Sequence, residues 1–188
     1  MPEINLKCSC GKIQGRTENV NSTTGTRIVC CCDDCQSFAQ YLGQESHILD
    51  QYGGTDIFQM PISHLKITKG NDQIACMRIS SKGLYRWYAN CCNTPLGNTM
   101  GSGAPFIGVI HNFMDNTSTR DIDLGENRGY VQTKFAKEQV PENQQGSSFG
   151  MNLRSLSKLI VWKLRGLNRP SVFFNENGQP IAEPNILN

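Results

Sequence analysis

Long hydrophobic runs are missing from this chain. No stretch of about 18 apolar residues exists, so no transmembrane helix is expected. The longest apolar run, Phe106-Ile107-Gly108-Val109-Ile110, has the length of a strand. An excess of one charge is missing too. Eighteen Lys and Arg face 16 Asp and Glu, a net +2, and the basic residues are scattered. That balance argues against a nucleic-acid or membrane partner. The opening residues Met1-Pro2-Glu3-Ile4-Asn5-Leu6-Lys7 lack the apolar core of a signal peptide. No Ser–His–Asp set and no paired carboxylates stand out as a catalytic centre, and histidine is scarce, with three residues. Neither an internal repeat nor a low-complexity tract is present.

Cysteine is abundant. Nine cysteines occur, eight of them in three short clusters: Cys8-Ser9-Cys10-Gly11, Cys30-Cys31-Cys32-Asp33-Asp34-Cys35 and Cys91-Cys92. A disulfide scaffold fits small secreted chains. Here the count is odd, no leader is evident, and 188 residues suffice to bury a core without staples. Metal binding is therefore expected ahead of disulfides, in a reducing, cytoplasmic setting. Cys76, alone in an apolar stretch, reads as a small core hydrophobe.

A single domain over 1–188 is expected, with a β core over about 1–115 and a C-terminal extension over about 116–188. Short strands read out around 12–16, 27–30, 57–60, 65–68, 73–79 and 84–88, separated by Lys69-Gly70-Asn71-Asp72 and Ser80-Ser81-Lys82-Gly83. Residues 33–42 read as a short helix or turn. In the extension, Leu153, Leu156, Ile160, Leu164 and Leu167 recur at steps of three and four, a helical stripe ended by Gly166 and Pro170. Such a helix is expected to pack on its own domain rather than on a membrane. Residues 172–180 read as extended with a turn.

Zinc takes thiolates that converge from different parts of a chain. In extended backbone, residues i and i+2 face one side, so Cys8/Cys10 and Cys30/Cys32 can each clamp one ion. Cys35 adds a third thiolate to the second pair through a C-x-x-C turn. Three thiolates from one loop leave a fourth zinc position open, the mark of a catalytic rather than a structural site.

The combination Cys8-Ser9-Cys10-Gly11, Cys30-Cys31-Cys32-Asp33-Asp34-Cys35 and Cys92-Asn93-Thr94-Pro95-Leu96 resembles the family of glutathione-dependent formaldehyde-activating enzymes, which includes centromere protein V. The resemblance covers roughly the first hundred residues. It implies a mainly β fold, a β-tent of packed short antiparallel sheets with two zinc sites. The C-terminal extension would carry one amphipathic helix. It implies that Cys30, Cys32 and Cys35 hold the catalytic zinc. It also implies that Cys8, Cys10 and Cys92 belong to a structural zinc site, and that the reaction joins the sulfur of a small thiol to an aldehyde carbon. The chain departs from the family at Ala89, where the pattern has the fourth cysteine. Cys91, His47, His64 or His111 are the candidates to replace it, or that zinc is weak or lost. Adjacent residues in extended chain point apart, which counts against Cys91. Restoring a cysteine at 89 is expected to raise zinc content. Cys31 reads as a non-ligand.

Two functions follow. One is a zinc-dependent carbon–sulfur lyase acting on a glutathione-type thiol–aldehyde adduct. The other is a non-catalytic, zinc-stabilised binding module. Asp33 and Asp34, between two ligands, are either proton relays or solvated turn residues. Gly101-Ser102-Gly103 lacks the lysine and helix start of a phosphate loop.

Overall fold

A computed structural model describes residues 3–146 and 148–187, apart from the side chains of 148–154. The fold is mainly β. Strands β1 (Ile4–Lys7), β2 (Gln14–Thr17) and β5 (Leu65–Lys69) form a small antiparallel sheet in the order β1-β2-β5. The remaining strands are β3 (Thr26–Cys30), β4 (Thr55–Met60), β6 (Ile74–Arg78), β7 (Tyr85–Ala89), β8 (Pro95–Thr99), β9 (Ile107–Ile110), β10 (Tyr130–Val131) and β11 (Asn185–Ile186). They form a large sheet in the order β10-β3-β4-β9-β8-β7-β6-β11. Its inner pairings are antiparallel, while β10 and β11 run parallel to β3 and β6. The large sheet is thus mixed rather than purely antiparallel, because two short segments of the extension close its edges.

Strand alternation divides the core in two. Phe58 and Met60 of β4, Ile74 and Cys76 of β6, Trp87 and Ala89 of β7, and Ile107 and Val109 of β9 share one hydrophobic cluster with Ile4, Leu6 and Leu65 of the small sheet. Their strand neighbours Ile57, Met77 and Ile110 point the other way, into a second cluster with Ile28, Cys35, Phe38 and Leu42. The large sheet is therefore covered on both faces. Trp87 anchors the first cluster: Phe173 stacks on it at 4.8 Å between centroids, Phe174 meets it edge-on at 5.6 Å, and its indole N–H donates to Thr99 Oγ1 at 2.9 Å. The segment at 172–180, expected as a strand or extended stretch with a turn, thus inserts two rings into the core.

Helix α1 (Asp33–Leu42) covers the second face. Cys35, Phe38, Ala39 and Leu42 recur at helical spacing and are its buried residues. Asp33 and Asp34 suit the positive end of its dipole. It stops at Gly43, whose φ of 62° favours a residue without Cβ and whose N–H caps Ala39 and Gln40 carbonyls. Two short helices follow, α2 (Glu45–Ile48) and α3 (Arg120–Leu124).

Helix α4 (Ser148–Leu164) corrects the orientation expected from the leucine stripe. Leu156 and Ile160 are exposed, and Leu164 is 82% exposed. Leu153 lies outside the described side chains, and Leu167 is half-buried beyond the helix. The inward side chain is Trp162, 8% exposed. Lys158 donates from the same face to Gly25 O and to Thr26 Oγ1, the latter at 3.2 Å, and Ser155 donates to Gln59 Oε1 at 3.3 Å. One large aromatic ring and a lysine that buries its stem while its head finds carbonyl and hydroxyl acceptors outweigh three aliphatic tips. Among the described residues, no helix is long and apolar enough to cross a membrane.

Candidate metal centres

All nine cysteines are free thiols. Seven of them gather into two groups that can hold a metal ion, Cys8/Cys10/Cys91/Cys92 and Cys30/Cys32/Cys35, with the sulfurs of each group within 4.8 Å of one another. His47, His64 and His111 join neither group. The ring Nδ1 of His111 lies 3.3 Å from the Asp56 carbonyl oxygen.

The first group joins two turns. Cys8 leaves β1 into a turn closed by the Gly11 N–H on the Cys8 carbonyl at 2.9 Å, with Gly11 at φ 74°. The Ile13 N–H points at Cys8 Sγ, 3.2 Å away. Cys91 and Cys92 lie in the turn after β7, where the N–H groups of Cys92 and Asn93 return to the Ala89 carbonyl at 3.2 and 2.8 Å. Asn93 takes φ 55°, a left-handed conformation that asparagine tolerates. This winding corrects the objection to Cys91. Neighbours in a turn do not obey strand alternation, and both sulfurs face the same partners. Cys10 Sγ stands 3.3 Å from Cys91 Sγ and 3.6 Å from Cys8 Sγ, and Cys8 to Cys91 is 4.0 Å. Four ligands ~2.3 Å from one ion in a tetrahedron stand about 3.8 Å apart, so the group has the donor set and spacing of a closed thiolate site. Ala89, the departure from the expected pattern, is fully buried in the first core cluster. Thr94 ties the turns together: its Oγ1 accepts from the Ser9 N–H at 3.0 Å, donates to Ser9 Oγ at 3.0 Å and lies 3.2 Å from Cys92 Sγ.

The thiols of this group differ. Burial raises Cys8, and burial followed by the thiols of Cys10 and Cys92 raises Cys91. Burial also acts to raise Cys92, but hydrogen bonds from Ser9, Thr94 and the backbone of Cys10 and Thr94 together bring it down to about 5.

The second group is built where β3 meets α1. Cys30 ends the strand, Cys32 occupies the N-cap position, and Cys35 sits in the first helical turn. Between them Cys31 is fully buried and outside the group, as its non-ligand reading requires. Its N–H donates to the Val131 carbonyl at 3.0 Å, and its own carbonyl accepts from Gln36 Nε2 at 2.9 Å. The short strand β10 thereby holds the loop from outside. Among the described residues no fourth Cys, His, Asp or Glu joins these three sulfurs.

A residue that sequence reasoning passed over completes the surroundings. Arg86 of β7 is only 1% exposed, on the face opposite Trp87. Its Nη1 points to Cys35 Sγ at 3.9 Å and to Asn98 Oδ1 at 3.4 Å, and its Nη2 donates to Asp34 Oδ2 at 3.1 Å. The guanidinium also lies over the Phe38 ring at 5.6 Å. Hydrogen bonds from Cys30 and Cys32 bring the Cys35 thiol well below its ordinary range; burial opposes them and the Arg86 charge adds to them. Hydrogen bonds to Cys32 and Cys35, and then burial, raise Cys30. Burial, and then the Asp50 charge, push Cys31 up to about 11. The signal for Arg86 was the alternation of β7, but its burial becomes visible only with α1 laid across that face. Asp33, exposed, accepts the Asp34 N–H at 2.9 Å, whereas Asp34 is the ion-pair partner of Arg86.

Cys76 behaves as its sequence setting suggested, buried in the first cluster, with its thiol pushed up to about 12 by burial.

A solved structure of a Rhodobacter sphaeroides protein superposes on the chain with a TM-score of 0.44 and 16% identity, covering 65% of this chain and 96% of that one. No curated protein matches the sequence. A family model described as "Family of unknown function (DUF6151)" matches residues 2–185. With nearly the whole sequence inside that match, the chain belongs to the DUF6151 family.

Proposed function

We propose that this protein is a zinc-dependent carbon–sulfur lyase of the formaldehyde-activating type, acting on a small thiol–aldehyde adduct. The β-tent and the glutathione-type thiol belong to the same reading and rest on the cysteine pattern. The observation that carries the proposal is the contrast in donor number. Four sulfurs converge in one group and three in the other, with no further Cys, His, Asp or Glu beside the three among the described residues. Three thiolates leave zinc an open position, and four close it.

Zinc held by Cys30, Cys32 and Cys35 would supply Lewis acidity that favours a bound thiol in its thiolate form. The chain's own residues do the rest. Cys30 and Cys32 are half-buried and so more accessible than buried Cys35, which anchors the group to α1. The positive end of α1 and the Arg86 guanidinium favour negative charge on sulfur there. In the condensing direction a thiol sulfur forms a bond to the aldehyde carbon, the C=O π pair moves to oxygen, and the thiol proton ends on that oxygen. Asp34, 42% exposed beside Arg86, is the carboxylate suited to carry the proton. The product is a hemithioacetal, and the reverse step cleaves the same carbon–sulfur bond.

The test is to incubate zinc-loaded protein with glutathione and with other thiols plus formaldehyde, and to follow hemithioacetal formation by NMR. Acceleration above the spontaneous rate that disappears in Cys32→Ser and persists in Cys76→Ser supports the enzyme. No zinc-dependent acceleration with any thiol or aldehyde, and no thiol entering the metal's coordination, would leave the binding module as the better reading.

A further inference from the structure

We propose that Arg86 is a positioning residue for the three-cysteine centre. It holds Cys35 as the fixed, protected ligand, so that exchange at the centre runs through Cys30 and Cys32. The inference rests on the metal-centre reading of these three cysteines but adds an inequality among them.

A fully buried guanidinium needs compensation for the water it has lost. Among the described residues Arg86 has one carboxylate partner, Asp34, which is 42% exposed, and that exposure weakens the pair. Asn98 Oδ1 is a neutral acceptor, and the Arg86 Nε has no partner. The remaining neighbour of Nη1 is Cys35 Sγ. A divalent ion with three thiolates carries one net negative charge, which supplies the compensation the protein side chains leave incomplete. A hydrogen bond from a cation withdraws electron density from a thiolate and occupies one of its lone pairs. Cys35 is also 6% exposed, whereas Cys30 and Cys32 are half-buried. Access and hydrogen bonding therefore rank the three sulfurs in the same order. The rigid fork matters as well. Arg86 reaches Asp34 and Cys35 with two different nitrogens, and a lysine head cannot reproduce both directions from one point. The four-cysteine group has no such cation: among the described residues, no Lys or Arg hydrogen bond to its sulfurs is found.

The test uses full-length wild type, Arg86→Met and Arg86→Lys, with folding checked by circular dichroism. Each is titrated with cobalt(II) as a zinc substitute and then treated with limiting iodoacetamide, with peptide mapping to give the rate at each cysteine. In wild type, Cys30 and Cys32 react well before Cys35. In Arg86→Met the Cys35 rate rises about tenfold, the loss expected for one charge-assisted hydrogen bond, while Cys30 and Cys32 change little. Arg86→Lys is intermediate. The thiolate-to-cobalt charge-transfer band moves to lower energy in both variants, a shift that a purely structural role for Arg86 would not produce. If Arg86→Met does not fold, Arg86→Lys decides by the same two readouts. An unchanged Cys35 rate and an unmoved band in a folded variant overturn the proposal. If wild type shows no thiolate–cobalt band from this centre, the metal reading falls. Because it ranks the ligands of a bound metal, the proposal falls with that reading, an outcome distinct from an unchanged Cys35 rate in a metal-loaded, folded variant.

Discussion

The two cysteine groups use the same ligand atom in opposite settings. The first is stitched from two turns, at residues 8–11 and 90–93, brought together by Thr94 and Ser9. Four sulfurs meet there, one buried and one exposed. The second comes from one continuous stretch, a strand end and a helix start, with a buried arginine behind it. A site that joins distant segments does structural work by being closed. A site made from one loop contributes little to holding the chain together and can leave a coordination position open.

The largest expected effect separates the groups by stability. Cys8→Ser, at a buried sulfur in the first core cluster, removes the tie between turns some 80 residues apart. The melting temperature should fall by about 10 °C or more, since each kcal/mol is worth ~2–4 °C in a chain of this size. Cys32→Ser should lower it by much less. Equal losses, measured by calorimetry on zinc-loaded proteins, would erase the structural distinction.

The next effect is on metal content. On the proposed reading, one zinc per group and a catalytic second centre, Cys32→Ser should halve the zinc content, keep the fold and abolish turnover. Elemental analysis after gel filtration reads it. Two ions retained would mean that the second group is not an independent centre.

A smaller effect sharpens the ligand set of the first group. A cysteine restored at Ala89 is the natural repair only if Cys91 points away. With Cys91 Sγ 3.3 Å from Cys10 Sγ, Cys91→Ser removes a ligand and should weaken metal binding by more than the ~10–100-fold seen for losing a mere supporting contact. Ala89→Cys should leave stoichiometry unchanged and cost ~1–3 kcal/mol through overpacking a fully buried position. Higher zinc content in Ala89→Cys would restore the original register. Smallest of all, Cys76→Ser should leave both centres loaded and cost ~1–3 kcal/mol for burying a hydroxyl in the first cluster, read by urea denaturation.

Much of this was legible in the residues. Residues 33–42 read only as a short helix or turn; the structure makes them α1, which Asp33 and Asp34 open, Phe38 and Leu42 line and Gly43 ends. Strands β2 to β7 were readable from alternation and from Gly-containing turns, whereas β1 and β8 were not. Three further things were not. Cys91 was misjudged because strand geometry was applied to residues that Asn93 turns into a left-handed bend. Arg86 looked like an ordinary polar strand residue, since nothing local reveals that a helix from fifty residues earlier covers its face. The α4 stripe counted leucines and passed over Trp162, whose single ring sets which side of the helix turns inward. In each case a contact between distant segments decided against a local rule.

The measurement that bears most directly on one closed and one open centre is X-ray absorption at the zinc edge, on wild type and Cys32→Ser, before and after adding a thiol. The account predicts an average between three and four sulfurs per zinc in wild type, rising toward four when thiol is added. In Cys32→Ser, where the closed centre alone keeps its ligands, it predicts four sulfurs with no response to thiol. A wild-type average that thiol leaves unchanged, or a Cys32→Ser spectrum that falls below four sulfurs and responds to thiol, would contradict it.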